Sequence, residues 1–407
     1  MKTRNFIFVS AGVTALLFLI FLGINQAQKH YGSLNGLNPQ ISKGEMLETD
    51  NIRIQEEEEE EEEKKYPSKI VENTFYRAIQ DTNTLNQVLK KGNFLDRMTS
   101  WNGKALFVKF NSAQSSPEFR YYYYDALYKD INQNKVQDES DQGFFNPAST
   151  VKVSIAALAL EKLNKAGLTK ESEYRTDESS NWFRISDDIR RSLVISDNDS
   201  TNRLILWLGF DEINYSLENK GLAHLVIDRL MLNQGTLIKS PPFEVRLGNK
   251  LIKQASKSVS IKATCYETVT RIGNCATASD LVGVLMRIIQ PEYLPANKNF
   301  NLNQADREWL QGVMSHTPLE EGFDYPDDYC RFLTNVEDKI VGQSGKMLSK
   351  CGVALFSNTY VDSSFMAASS GQKYYIVFSV TPPKGFSEKE IIQWMNTTTN
   401  FVLPHLP

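Results

Sequence analysis

The sequence predicts an α/β (α+β) domain, in which an antiparallel sheet flanked by terminal helices carries an all-helical subdomain. Three observations predict it. Strand-like runs sit at both ends of the globular part: Ala105–Phe110 and Arg120–Tyr128 early, then Lys339–Ser349, Val353–Asp362 and Lys373–Thr381 late, joined by short turns as in a meander. Between the two groups, apolar residues recur at helical spacing. Near the end, Ser387 with Glu390 three residues on forms a capping box that opens a last helix with Ile391, Ile392, Trp394, Met395 and Phe401 on its apolar face. A sheet drawn from both ends, with helices between, leaves a cleft between two lobes, and a site belongs there.

The chain has 407 residues, 41% of them hydrophobic, which is enough for a large core. The net charge is −4, although Glu56–Glu63 is a run of glutamates, and no strongly basic stretch offers a nucleic-acid surface. Lys2 and Arg4 precede an apolar run, Phe6–Ile24, long enough to span a bilayer. Small residues suited to cleavage are poorly placed at Asn25-Gln26-Ala27, so residues 1–27 read as a signal anchor rather than a cleaved signal. Basic residues before the span place the remainder outside the cytoplasm. The acidic stretch 28–67 reads as a solvated linker to a domain over 68–407. Cys265, Cys275, Cys330 and Cys351 all fall in the exported part, where disulfides persist. The sequence-near pairs 265–275 and 330–351 are the natural expectation among three pairings.

Residues 68–98 hold one or two helices. Asn102-Gly103 is a turn before the first strand. The Asp130–Asp141 segment spaces oxygens like a calcium loop, but Lys135 replaces the glycine of the sharp turn and Asp141 the final glutamate, so a polar hairpin is the better reading. An apolar helix spans Val151–Leu163. Further helices are expected over Ser186–Ile195, over Ser200–Leu208 with Asp199 or Ser200 as N-cap, over Glu212–Lys220, Ala278–Ile289 and Gln304–Met314. From Gly235 to Gly273 the periodicity is lost.

The stretch Phe144–Lys152 carries the chemistry. Pro147 suits a helix entry. Ser149 and Lys152, three residues apart, share one face of the first turn. The helix terminus and partial burial both favour a neutral amine, which can take the serine proton. Downstream stands Ser196-Asp197-Asn198. Together they resemble the S-x-x-K and S-D-N pair of class A serine β-lactamases and penicillin-binding proteins. Leu208-Gly209-Phe210, Ile227-Asp228-Arg229 and Ala276–Leu281 extend the resemblance over roughly residues 68–407.

The resemblance implies a β-lactamase/transpeptidase-like fold and acyl transfer through Ser149 on β-lactams or peptidoglycan peptides, with no cofactor and no metal. Lys152 would be base or relay, Ser196 would pass a proton to the leaving nitrogen, and Asn198 would bind Lys152 and substrate. The place of the family's K-T-G falls at Gln343-Ser344-Gly345, with Lys346 supplying the second oxyanion N–H and a neutral amide where the family has a cation. The Ω-loop glutamate position falls on Arg229, with Asp228 one place off and Glu244 beyond Pro241-Pro242. Without that base the acyl-enzyme is expected to be long-lived, as in a D-Ala-D-Ala-type peptidase rather than an efficient β-lactamase. A non-catalytic scaffold of the same fold is the alternative from another class. Gly342–Lys346 fails as a P-loop, because Ile340 and Met347 stand where Gly and Ser/Thr are required. No G-x-S-x-G elbow is present, and His224 and His316 read as surface or core histidines ahead of a Ser-His-Asp triad.

Overall fold

The computed structural model describes residues 82–111, 118–126, 143–176, 179–232, 239–259, 274–333, 336, 346–368 and 371–407. The signal-anchor, acidic-linker and calcium-loop-like expectations lie outside these residues. Among the described residues no helix is long and apolar enough to cross a membrane.

In chain order, α1 (Thr82–Lys91) and α2 (Leu95–Ser100) precede β1 (Lys104–Asn111) and β2 (Glu118–Asp125). A 3₁₀ turn, Ala148–Val151, leads into α3 (Lys152–Lys165). Then come β3 (Glu173–Thr176), β4 (Phe183–Arg184), α4 (Ile185–Val194), α5 (Asn198–Leu208) and α6 (Phe210–Asn219). A hairpin, β5 (Phe243–Leu247) and β6 (Lys250–Gln254), is followed by α7 (Ala278–Ile289) and α8 (Gln304–Ser315). The chain ends with β7 (Lys346–Ala354), β8 (Thr359–Ala367), β9 (Lys373–Val380) and α9 (Glu388–His405).

The main sheet is antiparallel with the order β2-β1-β9-β8-β7, so strands from both ends do form one sheet and β7 is its edge. Its two faces feed two cores. Along β1, Leu106 and Val108 join the core under the helical lobe, while Ala105 and Phe107 join the core under α1 and α9. On β7, Leu348 faces the helical lobe and Met347 and Cys351 face the other side. This strict alternation is the period-2 geometry of a strand buried on both faces. Helix α3 is the axis of the helical lobe; even Lys152, Ser154 and Glu161 on it are buried.

Two expectations are corrected. The strands expected at Lys339–Ser349 and Val353–Asp362 lie several residues later, as β7 and β8. Gly352 reads as a turn in sequence but sits in mid-strand. The actual turn falls at Leu355–Asn358, where Asn358 takes a φ of 51° and Leu355 and Phe356 are exposed. The Gly235–Gly273 segment is also not without structure: β5 and β6 pair with β3 and β4 in a second sheet, β4-β3-β5-β6, attached to the helical lobe. The alternation of Phe243, Val245 and Leu247 in β5 spans only five residues next to Pro241-Pro242, too short to stand out in the sequence.

The two helices that bracket the Ser196 loop are clamped to each other. The Asp188 carboxylate on α4 accepts from Arg203 Nε (2.9 Å) on α5 and from the Tyr174 hydroxyl (2.7 Å) on β3. Asp188 is 2% exposed, so removing it leaves a guanidinium and a phenol without their acceptor. Asp188→Ala is expected to cost about 3 kcal/mol in urea unfolding, whereas Asp187→Ala, at an exposed position of the same helix, is expected to change stability by less than ~0.5 kcal/mol.

Candidate active site

The nucleophile turn is built from three local devices. Asn146 Oδ1 accepts from Ala148 N (2.9 Å), and Pro147 O accepts from both the N–H and the hydroxyl of Thr150 (3.0 and 2.6 Å). Ala148, just before Ser149, takes a φ of 48°, a left-handed conformation that a side chain resists. Ser149 thus enters on a tight turn and is half-buried, while Lys152 follows one turn later with no exposed surface.

The Ser-Asp-Asn loop turns between α4 and α5. Its N-cap is Asp197, which accepts from Ser200 N (2.7 Å), rather than Asp199 or Ser200 as the sequence suggested. Asp197 is also held by Arg191 (3.1 Å). Ser196 takes a φ of 56°, a second left-handed residue beside the reacting groups. Lys152 Nζ donates to Ser196 O (2.6 Å), Asn198 Oδ1 (2.8 Å) and Ser196 Oγ (3.3 Å). The structure therefore brings Lys152, Ser196 and Asn198 together, with Ser149 on the adjoining turn.

The third element is one that the sequence reading missed. Lys350 on β7, 1% exposed, donates to the same Ser196 Oγ (3.1 Å) as Lys152. Two residues on, Gly352 passes so close to the nucleophile turn that a Cβ there would collide with Ser149 N and stand 2.8 Å from Ala148 Cβ. Lys350-Cys351-Gly352 thus has the Lys-x-Gly spacing of the family's K-T-G and stands beside the Ser149 turn. Gln343, Ser344 and Gly345 lie outside the described residues. Lys346 starts β7, four positions before Lys350, and only its backbone is described. The signal was present as Lys-x-Gly at 350–352. It was passed over because Cys351 stands where a hydroxyl residue was sought and because β7 was placed too early. The cation thought to be lost is present.

Both lysines are driven toward the neutral amine. Burial lowers Lys152 well below the ordinary lysine value, and the nearby Lys350 lowers it further against the pull of Asp197. Burial brings Lys350 to about 7, with Asp362 acting the other way. Asp362, fully buried on β8, is pushed up to about 6 by burial, against hydrogen bonds from Ser364 and Ser349.

In the loop after α6, Asn202 Oδ1 accepts from Met231 N (2.7 Å) and its amide donates to Met231 O (3.3 Å). The residue pinned to the Ser-Asp-Asn helix is thus Met231, which has no ionisable group. The backbone N–H groups of Asp228 and Arg229 are held by Asn274 Oδ1 (3.0 and 3.2 Å). Glu244 sits on β5 and pairs with Arg175 (2.8 Å) and Lys253 (3.4 Å) in the second sheet. Among the described residues there is no group of three or more His, Cys, Asp or Glu placed to hold a metal.

Two outcomes are expected. Gly352→Ala forces the strand off the nucleophile turn and should lower the rate of Ser149 acylation by ~10²-fold or more, read by stopped-flow or quenched labelling, with the fold retained by circular dichroism. For Lys350, the unfolded chain binds the proton more tightly than the folded one. The unfolded state therefore holds more protons from about 7 up to ~10.4, and stability rises with pH across that window. Lys350→Met should remove one proton's share of that rise, up to ~1.4 kcal/mol per pH unit, in urea unfolding at a series of pH values. It should also move the midpoint of the acid limb of acylation to higher pH, because loss of the neighbouring cation raises Lys152.

The fold is shared with solved structures. PBP-A, in a point mutant solved as its acyl-enzyme complex with penicillin G, matches with a TM-score of 0.50 and 16% identity, over 80% of this chain and 97% of that one. A β-lactamase from Xanthomonas campestris pv. campestris matches with a TM-score of 0.52 and 11% identity, over 80% of this chain and 100% of that one. These likenesses establish the β-lactamase/transpeptidase-like fold. No curated protein matches the chain. The model described as the beta-lactamase enzyme family matches residues 117–325, just over half of the length. The chain belongs to the beta-lactamase enzyme family.

Proposed function

We propose that this chain is a membrane-anchored, exported serine acyl-transfer enzyme, acylated at Ser149 by β-lactams or cell-wall peptides and slow to release the acyl group. The observation that carries the reading is the convergence of two buried, pKa-lowered lysines on Ser196 Oγ, beside the Ser149 turn. Neutral Lys152 takes the Ser149 proton as Oγ attacks the carbonyl. The N–H groups of Ser149 and of Val353, next along the edge strand after Gly352, are the donors we assign to the developing oxyanion. Ser196, held between the two lysines, passes a proton to the leaving nitrogen. The acyl-enzyme of PBP-A with penicillin G supports a β-lactam as acyl donor.

Slow release follows from the loop after α6. Met231, the residue pinned beside Asn202, cannot activate water. A general base is typically worth ~10²–10⁴-fold, so its absence favours accumulation of the acyl-enzyme, which is D-Ala-D-Ala-peptidase behaviour more than β-lactamase behaviour. The location outside the cytoplasm is supported by the basic residues before the apolar run Phe6–Ile24 and by the Cys330–Cys351 disulfide, a bond kept in oxidising compartments.

The test is intact-protein mass spectrometry of the full chain after exposure to penicillin G, with Ser149→Ala beside it. The expected result is a persistent adduct equal to the mass of penicillin, absent from Ser149→Ala. Penicillin consumed without an adduct would instead mean efficient hydrolysis. A protein that shows no adduct and consumes no penicillin would overturn the acyl-transfer reading for β-lactams.

A further inference from the structure

Lys350 has a third neighbour besides Ser196 Oγ and the carbonyl of Cys351 (3.0 Å): Cys330 Sγ, 3.1 Å away. Cys330 is bonded to Cys351, the residue between Lys350 and Gly352 (S–S 2.04 Å, Cα–Cα 5.3 Å). The edge strand of the site is thus cross-linked to the loop before it, and one sulfur of the cross-link touches the site's cation. Cys351 is 1% exposed while Cys330 is half-buried, so a reagent meets the bond at Cys330. The loop has other anchors. Asn396 on α9 donates to Phe332 O, the Phe332 backbone N–H bonds the Asp362 carboxylate, and Phe332 and Leu333 are buried. Opening the disulfide therefore leaves Cys330 beside Lys350.

We propose that the Cys330–Cys351 disulfide is a positioning element of the reacting centre. Closed, it leaves the Lys350 amine to Ser196; opened by an external dithiol, it turns Cys330 into a thiolate that takes Lys350 as its own counter-ion. The exchange balances. A thiolate of the dithiol attacks Cys330 Sγ, the Cys330–Cys351 bond breaks, and Cys351 leaves with the electron pair. The second thiol of the reagent then displaces Cys330. Two electrons pass to the protein and the reagent ends as a disulfide. Cys351, in an apolar core, takes up a proton, while Cys330 is stabilised as thiolate by the adjacent ammonium. Of the other groups facing Lys350, Lys152 offers no negative charge, and Asp362 acts on it through charge alone, its oxygens being engaged by Ser349, Ser364 and the Phe332 N–H. Arg331, next to Cys330, has a partner of its own.

The proposal rests on the acyl-transfer reading only for its activity readout. The first measurement is independent of activity: the rate of iodoacetamide alkylation of Cys330 against pH in full-length Cys351→Ser. Its thiol is expected to titrate below ~7.5, against the ordinary ~8.5, and to return to ~8.5 or above when Lys350→Met is added. Should Cys351→Ser not fold, dithiol-reduced wild-type protein, with the alkylated Cys330 peptide quantified by mass spectrometry, gives the same curve. The second measurement is penicillin G acylation of Ser149 with and without dithiothreitol. Reduction is expected to slow it about tenfold, the worth of one charge-assisted hydrogen bond, and to change its pH profile. Cys330→Ala/Cys351→Ala, which keeps the disulfide of Cys275, should not respond to the dithiol. An ordinary or raised Cys330 titration, unaffected by Lys350→Met, would overturn the proposal. So would a reduced protein with unchanged rate and pH profile and only a lower melting temperature, the mark of a merely structural cross-link. If the oxidised protein takes no penicillin at all, the acyl-donor reading falls and the thiol titration decides this proposal alone.

Discussion

Two lysine amines, neither with appreciable exposure, end on one serine oxygen. Like charges buried that close cannot both keep their protons at neutral pH without a large cost, because the interior neither solvates nor screens them. The arrangement is stable only if at least one amine is neutral, and a neutral amine is what nucleophile activation requires. The rest of the site is arranged to hold the amines there. Lys152 is fixed by α3, a largely buried helix, and by the carbonyl of Ser196 and the side chain of Asn198. Lys350 is fixed by the alternation of an edge strand. Ser196 is presented by a left-handed turn between two clamped helices.

The same alternation explains why Gly352 and Lys350 are two apart. Leu348, Lys350 and Gly352 share the face toward the helical lobe, and each meets something different: core, reacting hydroxyl, nucleophile turn. A glycine in a strand interior weakens it. Here the weakness is offset by the register with β8 along the whole of β7 and by the cross-link at Cys351. Cys351 faces the opposite core, so it ties the strand down without entering the cleft.

Much of this was legible in the sequence. Ser149 and Lys152 stand out because a helix entry puts residues three apart on one face; Ser196 and Asn198 stand out only through the resemblance to the family's S-D-N, and the structure sets both beside Lys152. The Ser387–Glu390 box stood where expected and makes both of its bonds. What failed was register in β7 and β8, while β9 lies where it was expected. Gly352 mimics a turn and Leu355-Phe356 mimics a strand, so the pattern slides by several residues, and the Lys-x-Gly motif slid with it. Local chemistry marks a glycine. Only tertiary packing says whether the glycine bends the chain or lets another backbone come close. The β5–β6 hairpin was missed for a related reason: its pairing partner, β3, lies more than sixty residues earlier, and each of its strands is only five residues long.

The distribution of ionisable groups argues for a division of labour between acylation and release. On the acylation side the chain keeps two depressed amines and a hydroxyl relay, all internally bonded. On the release side, the residue pinned to the Ser-Asp-Asn helix is a methionine, the neighbouring carboxylate of Asp228 is raised by burial with one oxygen lacking a hydrogen-bond partner, and Glu244 is consumed by Arg175 and Lys253 in another sheet. A proton relay built from amines serves an amine leaving group well, since it returns to nitrogen the proton taken from oxygen. It does nothing to orient a water on the other side of the acyl bond. In a site of this kind the acyl group leaves quickly only when the acceptor brings its own nucleophilicity, as an amine does and water does not. On the proposed acyl-transfer reading, these residues favour transfer to an amine acceptor, with hydrolysis the slower branch.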